Sequence, residues 1–185
     1  MKVQTKLKIR KTHRYLGLFL GVQFLFWTLS GLYFSWTDLD EIHGDQYKNL
    51  SYKPVAFDSL MSPSLLEMDD EIHSIALRDI GNQPYYWINK KQLFNARTGK
   101  PKDSISRVEA LAIAKKYLKA GLKIVSIDKV TKVDGHHEYR GRLLPAYVIS
   151  YEEDALKAYV SVIDGKFQTV RHRQWRWFDF LWMTH

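Results

Sequence analysis

Tyr15-Leu-Gly-Leu-Phe-Leu-Gly-Val-Gln-Phe-Leu-Phe-Trp-Thr-Leu-Ser-Gly-Leu-Tyr-Phe-Ser-Trp36 is a run of twenty-two residues without one Asp, Glu, Lys, Arg or His. At 1.5 Å per residue a helix of that length reaches roughly 33 Å, enough to cross the ~30 Å hydrocarbon core of a bilayer. A cleaved signal peptide shares the basic start and the apolar middle. Its apolar core is usually about 7–15 residues, however, and a small-x-small cleavage motif should follow it. Here Tyr33-Phe34-Ser35-Trp36 follows instead, suited to an aromatic interfacial belt. The run therefore predicts an uncleaved membrane anchor.

Charge supports that reading. The chain has 185 residues and a formal net charge of +8. Lys2, Lys6, Lys8, Arg10, Lys11 and Arg14 stand just before the apolar run, with no acidic residue among them. The remaining chain carries 22 basic and 20 acidic side chains and is nearly neutral. A basic block against an apolar run is a cytoplasmic flank by the positive-inside rule, and it also attracts anionic lipid head groups. A nucleic-acid partner would need a basic face on a folded domain, so none is expected. The absence of cysteine excludes disulfides, thiolate metal sites and Cys nucleophiles.

Beyond Trp36 an acidic segment, Thr37-Asp-Leu-Asp-Glu-Ile-His-Gly-Asp45, leaves the membrane on the far side. Asp38, Asp40, Glu41 and Asp45 are read as its solvated outer flank. Residues 46–70 look irregular, with Pro54, Pro63 and a short helix near Ser64–Glu67 capped by Ser62 or Ser64. Strand patterns begin at Ile72 and recur over residues 72–77, 84–88 and 92–96, separated by turn material. The clearest soluble helix follows, capped by Ser104 or Ser106, with Glu109 three residues after Ser106 completing a capping box and Ala110, Leu111, Ala114, Tyr117 and Leu118 as its buried stripe. Gly121 is its natural stop. Strands over residues 123–133, 144–151, 158–162 and 167–171 complete the pattern. Pro84-Tyr-Tyr-Trp-Ile88 followed by Ala96-Arg-Thr-Gly-Lys100 is echoed by Pro145-Ala-Tyr-Val-Ile149 followed by Val162-Ile-Asp-Gly-Lys166. The echo suggests two half-repeats, each a helix and an antiparallel meander, with the first helix degenerate. The closing Trp175-Arg-Trp-Phe-Asp-Phe-Leu-Trp-Met-Thr-His185 is crowded with aromatics and suits a membrane interface.

Arg10-Lys-Thr-His-Arg-Tyr-Leu-Gly-Leu18 running into Trp27-Thr-Leu-Ser-Gly-Leu-Tyr33, the helix-then-meander of residues 106–170, and Trp177-Phe-Asp-Phe-Leu-Trp-Met-Thr-His185 together resemble the PepSY-associated transmembrane family. The resemblance implies an α+β fold: an N-terminal transmembrane helix followed by an extracytoplasmic PepSY-like domain. It implies a division into a basic cytoplasmic flank (1–14), the membrane helix (15–36), a linker (37–71), the PepSY-like domain (72–171) and an aromatic interfacial segment (172–185). In that family a second membrane helix would follow, so the chain is expected to stop short of it. The implied location is the bacterial inner membrane, N-terminus cytoplasmic and main domain periplasmic. Some members are similar to ferric-siderophore reductases that hold haem b through histidines at the membrane faces.

Haem iron in a membrane bundle is commonly held by two imidazoles from facing helices. His13 lies near the cytoplasmic face, while His43 and His185 should lie near the opposite one. A ~30 Å separation prevents His13 from sharing an iron with either within one chain. His43 and His185 could ligate one haem at the outer face, or each could pair with its copy in a homodimer. His13 would pair with its copy or with a partner membrane helix, and Gly17 and Gly21 permit the close helix approach. A periplasmic acceptor such as a ferric siderophore would make the protein a haem-dependent ferric reductase. A second possibility is a non-enzymatic module that binds or restrains a periplasmic peptidase by β-augmentation. A third is a cofactor-free membrane anchor or sensor. His136 and Glu138 could face one way on an extended strand and bind a transition metal, though adjacent histidines in a turn are more often plain polar loop. His73 and His172 sit in strand patterns and read as cross-strand surface residues. No hydrolase or phosphate-loop motif is present.

Overall fold

A computed structural model describes residues 3–184. It forms two compact units, one of residues 3–42 with 174–184 and one of residues 43–173.

The helical unit is dominated by α1 (Val3–Trp36), 34 residues and about 51 Å long. It is long and apolar enough to cross a membrane, and its apolar side chains are almost all exposed. The helix begins well before Tyr15, so the basic flank is helical rather than an unstructured leader. Thr28, Ser30 and Thr37 turn their hydroxyls back onto the carbonyls of Phe24, Phe26 and Tyr33. That satisfies these polar groups inside an otherwise apolar segment. Two residues later comes the short α2 (Leu39–His43), whose second residue donates its backbone N–H to the Asp38 carboxylate at 2.9 Å. The unit also holds α4 (Arg173–Thr184), where Phe178 and Trp182 meet Phe34 of α1.

The second unit is α+β. Its eight strands form two four-stranded antiparallel meanders in sequence order. The first contains β1 (Ile75–Ile80), β2 (Gln83–Ile88), β3 (Gln92–Asn95) and the two-residue β4 (Pro101–Lys102). The second contains β5 (Ile124–Val130), β6 (Ala146–Tyr151), β7 (Lys157–Ser161) and β8 (Phe167–Arg171). Between them runs α3 (Arg107–Tyr117), opened by a full capping box. The Glu109 N–H donates to the Ser106 hydroxyl, and the Ser106 N–H donates to the Glu109 carboxylate. Burial works against the charged Glu109 carboxylate, but the Ser106 hydrogen bonds and Lys102 outweigh it and hold the carboxyl below its ordinary pKa.

The main core draws on both sheets and on α3, with Ile80, Trp87, Leu93, Ile113, Ile149, Leu156 and Val160 nearly or fully inaccessible. The second strand of each meander is buried on both faces. Trp87 enters the main core while Tyr86 and Ile88 enter a smaller cluster with Leu66 and Phe94. Likewise Ile149 and Tyr151 enter the main core while Ala146 and Val148 join Tyr139 and Tyr159. Two-sided burial explains why these strands read as continuous apolar runs rather than alternating ones.

The half-repeat reading matches the backbone hydrogen bonds. Ala96 N–H donates to the Pro84 carbonyl and Val162 N–H to the Pro145 carbonyl, both at 2.9 Å. Asn95 pairs with Lys100 as Ser161 pairs with Lys166, and Gly99 closes on Asn95 as Gly165 closes on Ser161. The residue before each first helical turn docks the same way, Met61 N–H on Ala96 and Ile105 N–H on Val162. The degenerate helix of the first half is a single 3₁₀ turn at Pro63–Leu65, with Ser62 at its N-cap position but making no side-chain cap. Ion pairs join the halves: Arg78 of β1 to Asp164 at 3.2 Å, Lys116 of α3 to Asp79 at 2.7 Å, and Lys102 of β4 to Glu109 of α3 at 3.0 Å.

Candidate functional site

His13 lies on α1 and is exposed. It stands four residues before Gly17, which stands four before Gly21, so all three share one face of the helix. A Cβ added at Gly17, Gly21 or Gly31 would meet nothing within 4 Å. This face is therefore open to the close approach of another helix. On the same wheel Phe34 lies about 60° from His13, about 100° from Gly17 and about 140° from Gly21. Phe34 is the residue that receives α4, so Gly17 and Gly21 are turned away from the α4 contact while His13 lies nearer to that side.

His43 ends α2 and is exposed, and it belongs to the two-sheet unit rather than the helical one. His185 lies outside the described residues. Among the described residues of the helical unit His13 is the one imidazole. An imidazole at the end of an apolar span, beside a face that a second helix can approach, is of the ligand type that holds haem b. No group of three or more His, Asp or Glu among the described residues is placed to hold a metal ion.

Two expectations about other histidines are corrected. Residues 134–142 form turns, not an extended strand, because the backbone N–H of His136 donates to the Asp134 carboxylate at 2.9 Å. The N–H of Tyr139 then donates to His137 Nδ1 at 3.0 Å. Glu138 is committed elsewhere, accepting the Tyr159 hydroxyl at 2.5 Å and facing Lys157 Nζ at 3.4 Å. His136 and Glu138 thus do not form the metal pair that a strand would give. His172 is not a surface residue but fully buried. It falls just after β8, where the turn at Glu153–Ala155 lays Asp154 over it, with Nδ1 3.3 Å from the carboxylate. His73 precedes β1 instead of lying within a strand, and its N–H donates to Asn89 Oδ1 at 2.8 Å.

The Asp154 carboxylate also accepts the Tyr47 hydroxyl at 3.0 Å and lies 3.7 Å from Arg173 Nε. The Tyr47 ring packs on His172 with centroids 5.4 Å apart. Burial, reinforced by the Asp154 hydrogen bond, pushes the Tyr47 phenol up to about 12. This cluster draws on segments more than a hundred residues apart, so no local motif announces it. A cleft of about 260 Å³ is lined by Tyr52, Phe57, Leu77, Arg78, Asp79 and Tyr117 among others. Within that lining Tyr117 stacks on Phe167, with centroids 4.9 Å apart, and meets Tyr52 at a tilt, with centroids 4.7 Å apart. Nothing in this cleft has the geometry of a nucleophile and base.

These features define a protein with one membrane-length helix and a two-meander α+β unit. No protein-family model, curated protein or solved structure matches the chain.

Proposed function

We propose that the chain is a PepSY-type protein of the bacterial inner membrane that binds haem b and passes electrons to a periplasmic acceptor such as a ferric siderophore. Its N-terminus is cytoplasmic and its two-sheet unit periplasmic. His13 is the ligand on α1, and the opposing ligand comes from a second copy of the chain or from a partner membrane helix. His43 and His185 are the ligand candidates for the outer face. Bound haem b would supply one-electron chemistry between its ferric and ferrous states. The chain's own contribution is an imidazole at the end of an apolar span and a glycine face that sets helix spacing. The observation that carries this reading is the alignment of exposed His13 with the open Gly17 and Gly21 positions.

The test is the absorption spectrum of the full chain, purified in detergent after expression with added haem precursor. A Soret band that is lost or shifted in His13→Ala supports the reading. A chain without a Soret band, or one whose band ignores His13→Ala, rejects it.

A cofactor-free peptidase-binding module is the second reading, favoured by the edge of the second sheet. The seven-residue β5 is an edge strand, and its Val125 is 64% exposed. Such an edge can accept an added strand. A haem-free chain that retains a periplasmic peptidase, and loses it on Val125→Pro, would establish this reading. A haem-free chain that retains none would leave an anchor or sensor.

A further inference from the structure

A second cleft, of about 450 Å³, is lined by residues of both half-repeats and is within the size range of small-molecule sites. Its walls are of two kinds. Ile75, Trp87 and Leu143 are apolar, and Ile75 and Leu143 are 46% and 42% exposed. Arg78, Lys90 and Lys166 are cationic, against a single carboxylate, Asp164, among the described lining residues. That carboxylate is buried and already engaged. Its Oδ2 accepts from Arg78 Nη2 and its Oδ1 from the Lys166 backbone N–H, both at 3.2 Å. Neither the Lys90 nor the Lys166 ammonium has an ion pair among the described residues. Arg78 Nη1 reaches the Leu77 carbonyl at a long 3.4 Å, and Arg78 Nε is buried with no hydrogen-bond partner. A buried guanidinium N–H without an acceptor is costly, and a ligand oxygen is one way to satisfy it. Lys90 adds a separate sign. It stands in the β2–β3 turn at φ +56°, directly after Asn89 at +52°. Asn-Gly is the preferred pair for such a turn, so lysine is held there against local backbone preference.

We propose that this cleft binds a small organic carboxylate, its anionic head among Arg78, Lys90 and Lys166 and its apolar body over Ile75 and Leu143. The charge excess selects an anion, because three cations line the cleft and the one acid is already paired. Arg78 Nε supplies a charge-assisted N–H, which is stronger than a neutral one. The apolar lining selects an organic molecule over a bare inorganic ion, since only an apolar body takes Ile75 and Leu143 out of water. Arg78 and Lys90 come from the first half-repeat and Lys166 from the second, so a bound carboxylate bridges the halves beside the Arg78–Asp164 pair. The proposal concerns the two-sheet unit alone and stands apart from the membrane and haem readings.

The test is a titration of the full chain in dodecyl maltoside with 4-fluorophenylacetate, followed by fluorine NMR. Its uncharged amide, 4-fluorophenylacetamide, controls for partition into the micelle, and acetate is the competitor that lacks an apolar body. The acid should bind saturably and several-fold more tightly than the amide, and added sodium chloride should weaken it. Acetate should displace it only at much higher concentration. Lys90→Gly and Lys166→Gln should each weaken binding of the acid several-fold. Both side chains are exposed, so neither change disturbs the core. Lys90→Gly carries the sharper reading, because glycine suits a φ of +56° and the urea midpoint should hold or rise while binding falls. Absence of saturable binding by the acid would overturn the proposal, as would equal binding of acid and amide. Displacement by acetate at equal concentration would overturn it too, since the apolar body would then contribute nothing. So would an affinity for the acid that ignores both lysine substitutions.

Discussion

Asp154 sits in a left-handed backbone conformation (φ +47°) and carries three partners that come from distant parts of the chain. Its carboxylate accepts from Tyr47, faces the fully buried His172, and lies near Arg173. Asp154→Ala removes the acceptor and leaves buried polar groups without it, in a backbone that alanine tolerates poorly. We expect a loss of about 1–3 kcal/mol in urea unfolding, with Asp154→Asn costing less because Asn keeps an acceptor and suits that backbone. Tyrosines give a pH signature. Burial is the largest cause at Tyr47, Tyr139 and Tyr151, and each is pushed up to about 12. In the unfolded chain these phenols ionise near 10, while in the fold they hold their protons to about 12. The stability they contribute is therefore complete below pH 10 and is lost as pH rises toward 12. Buried Tyr139 and Tyr151 are each worth on the order of 2–3 kcal/mol over that window. Unfolding midpoints should fall steeply between about pH 10 and pH 12, and Tyr151→Phe should flatten the fall. Equal midpoints across that range would contradict the assignment.

The two meanders share a hairpin turn, and the glycine in each turn has a positive φ, +72° at Gly99 and +65° at Gly165. Their surroundings differ. A Cβ at Gly165 would lie 2.9 Å from the buried Ile80 side chain, whereas one at Gly99 would meet the flexible Met61 thioether at 3.1 Å. Both alanine variants incur the left-handed penalty of about 1–2 kcal/mol, and Gly165→Ala adds an overpacking cost of about 1–3 kcal/mol. The urea midpoint of Gly165→Ala should thus fall clearly below that of Gly99→Ala. This turn was readable in advance because its signal is local, a Gly-Lys pair after an apolar strand. The same holds for the Ser106–Glu109 capping box and for the charge-free run that became α1. Features set by distant contacts were not readable. His172 lies in an alternating pattern and looks like a surface residue until Asp154 and Tyr47 are brought over it. Residues 134–142 look extended until the Asp134 carboxylate captures their N–H groups. The first half-repeat's helix is reduced to Pro63–Leu65, although its docking hydrogen bond through Met61 is kept.

Across the whole molecule, charge and apolarity are segregated along the chain. The first fourteen residues hold six of its basic side chains, the next twenty-two hold no charge, and the remainder is near neutral. In the structure α1 shows the consequence, since its long apolar surface is bare along nearly its full length. The proposed function depends on this helix crossing a bilayer. The haem reading needs His13 at the cytoplasmic end, and the electron acceptor needs the two-sheet unit outside. The most direct test uses single cysteines in the cysteine-free chain, Leu7→Cys near the start of α1 and Val108→Cys on the exposed side of α3. Both are probed in spheroplasts of a bacterial host with a membrane-impermeant maleimide. Val108→Cys should label in intact spheroplasts and Leu7→Cys only after the membrane is broken. Protection of Val108→Cys until lysis would place the two-sheet unit in the cytoplasm and contradict the account.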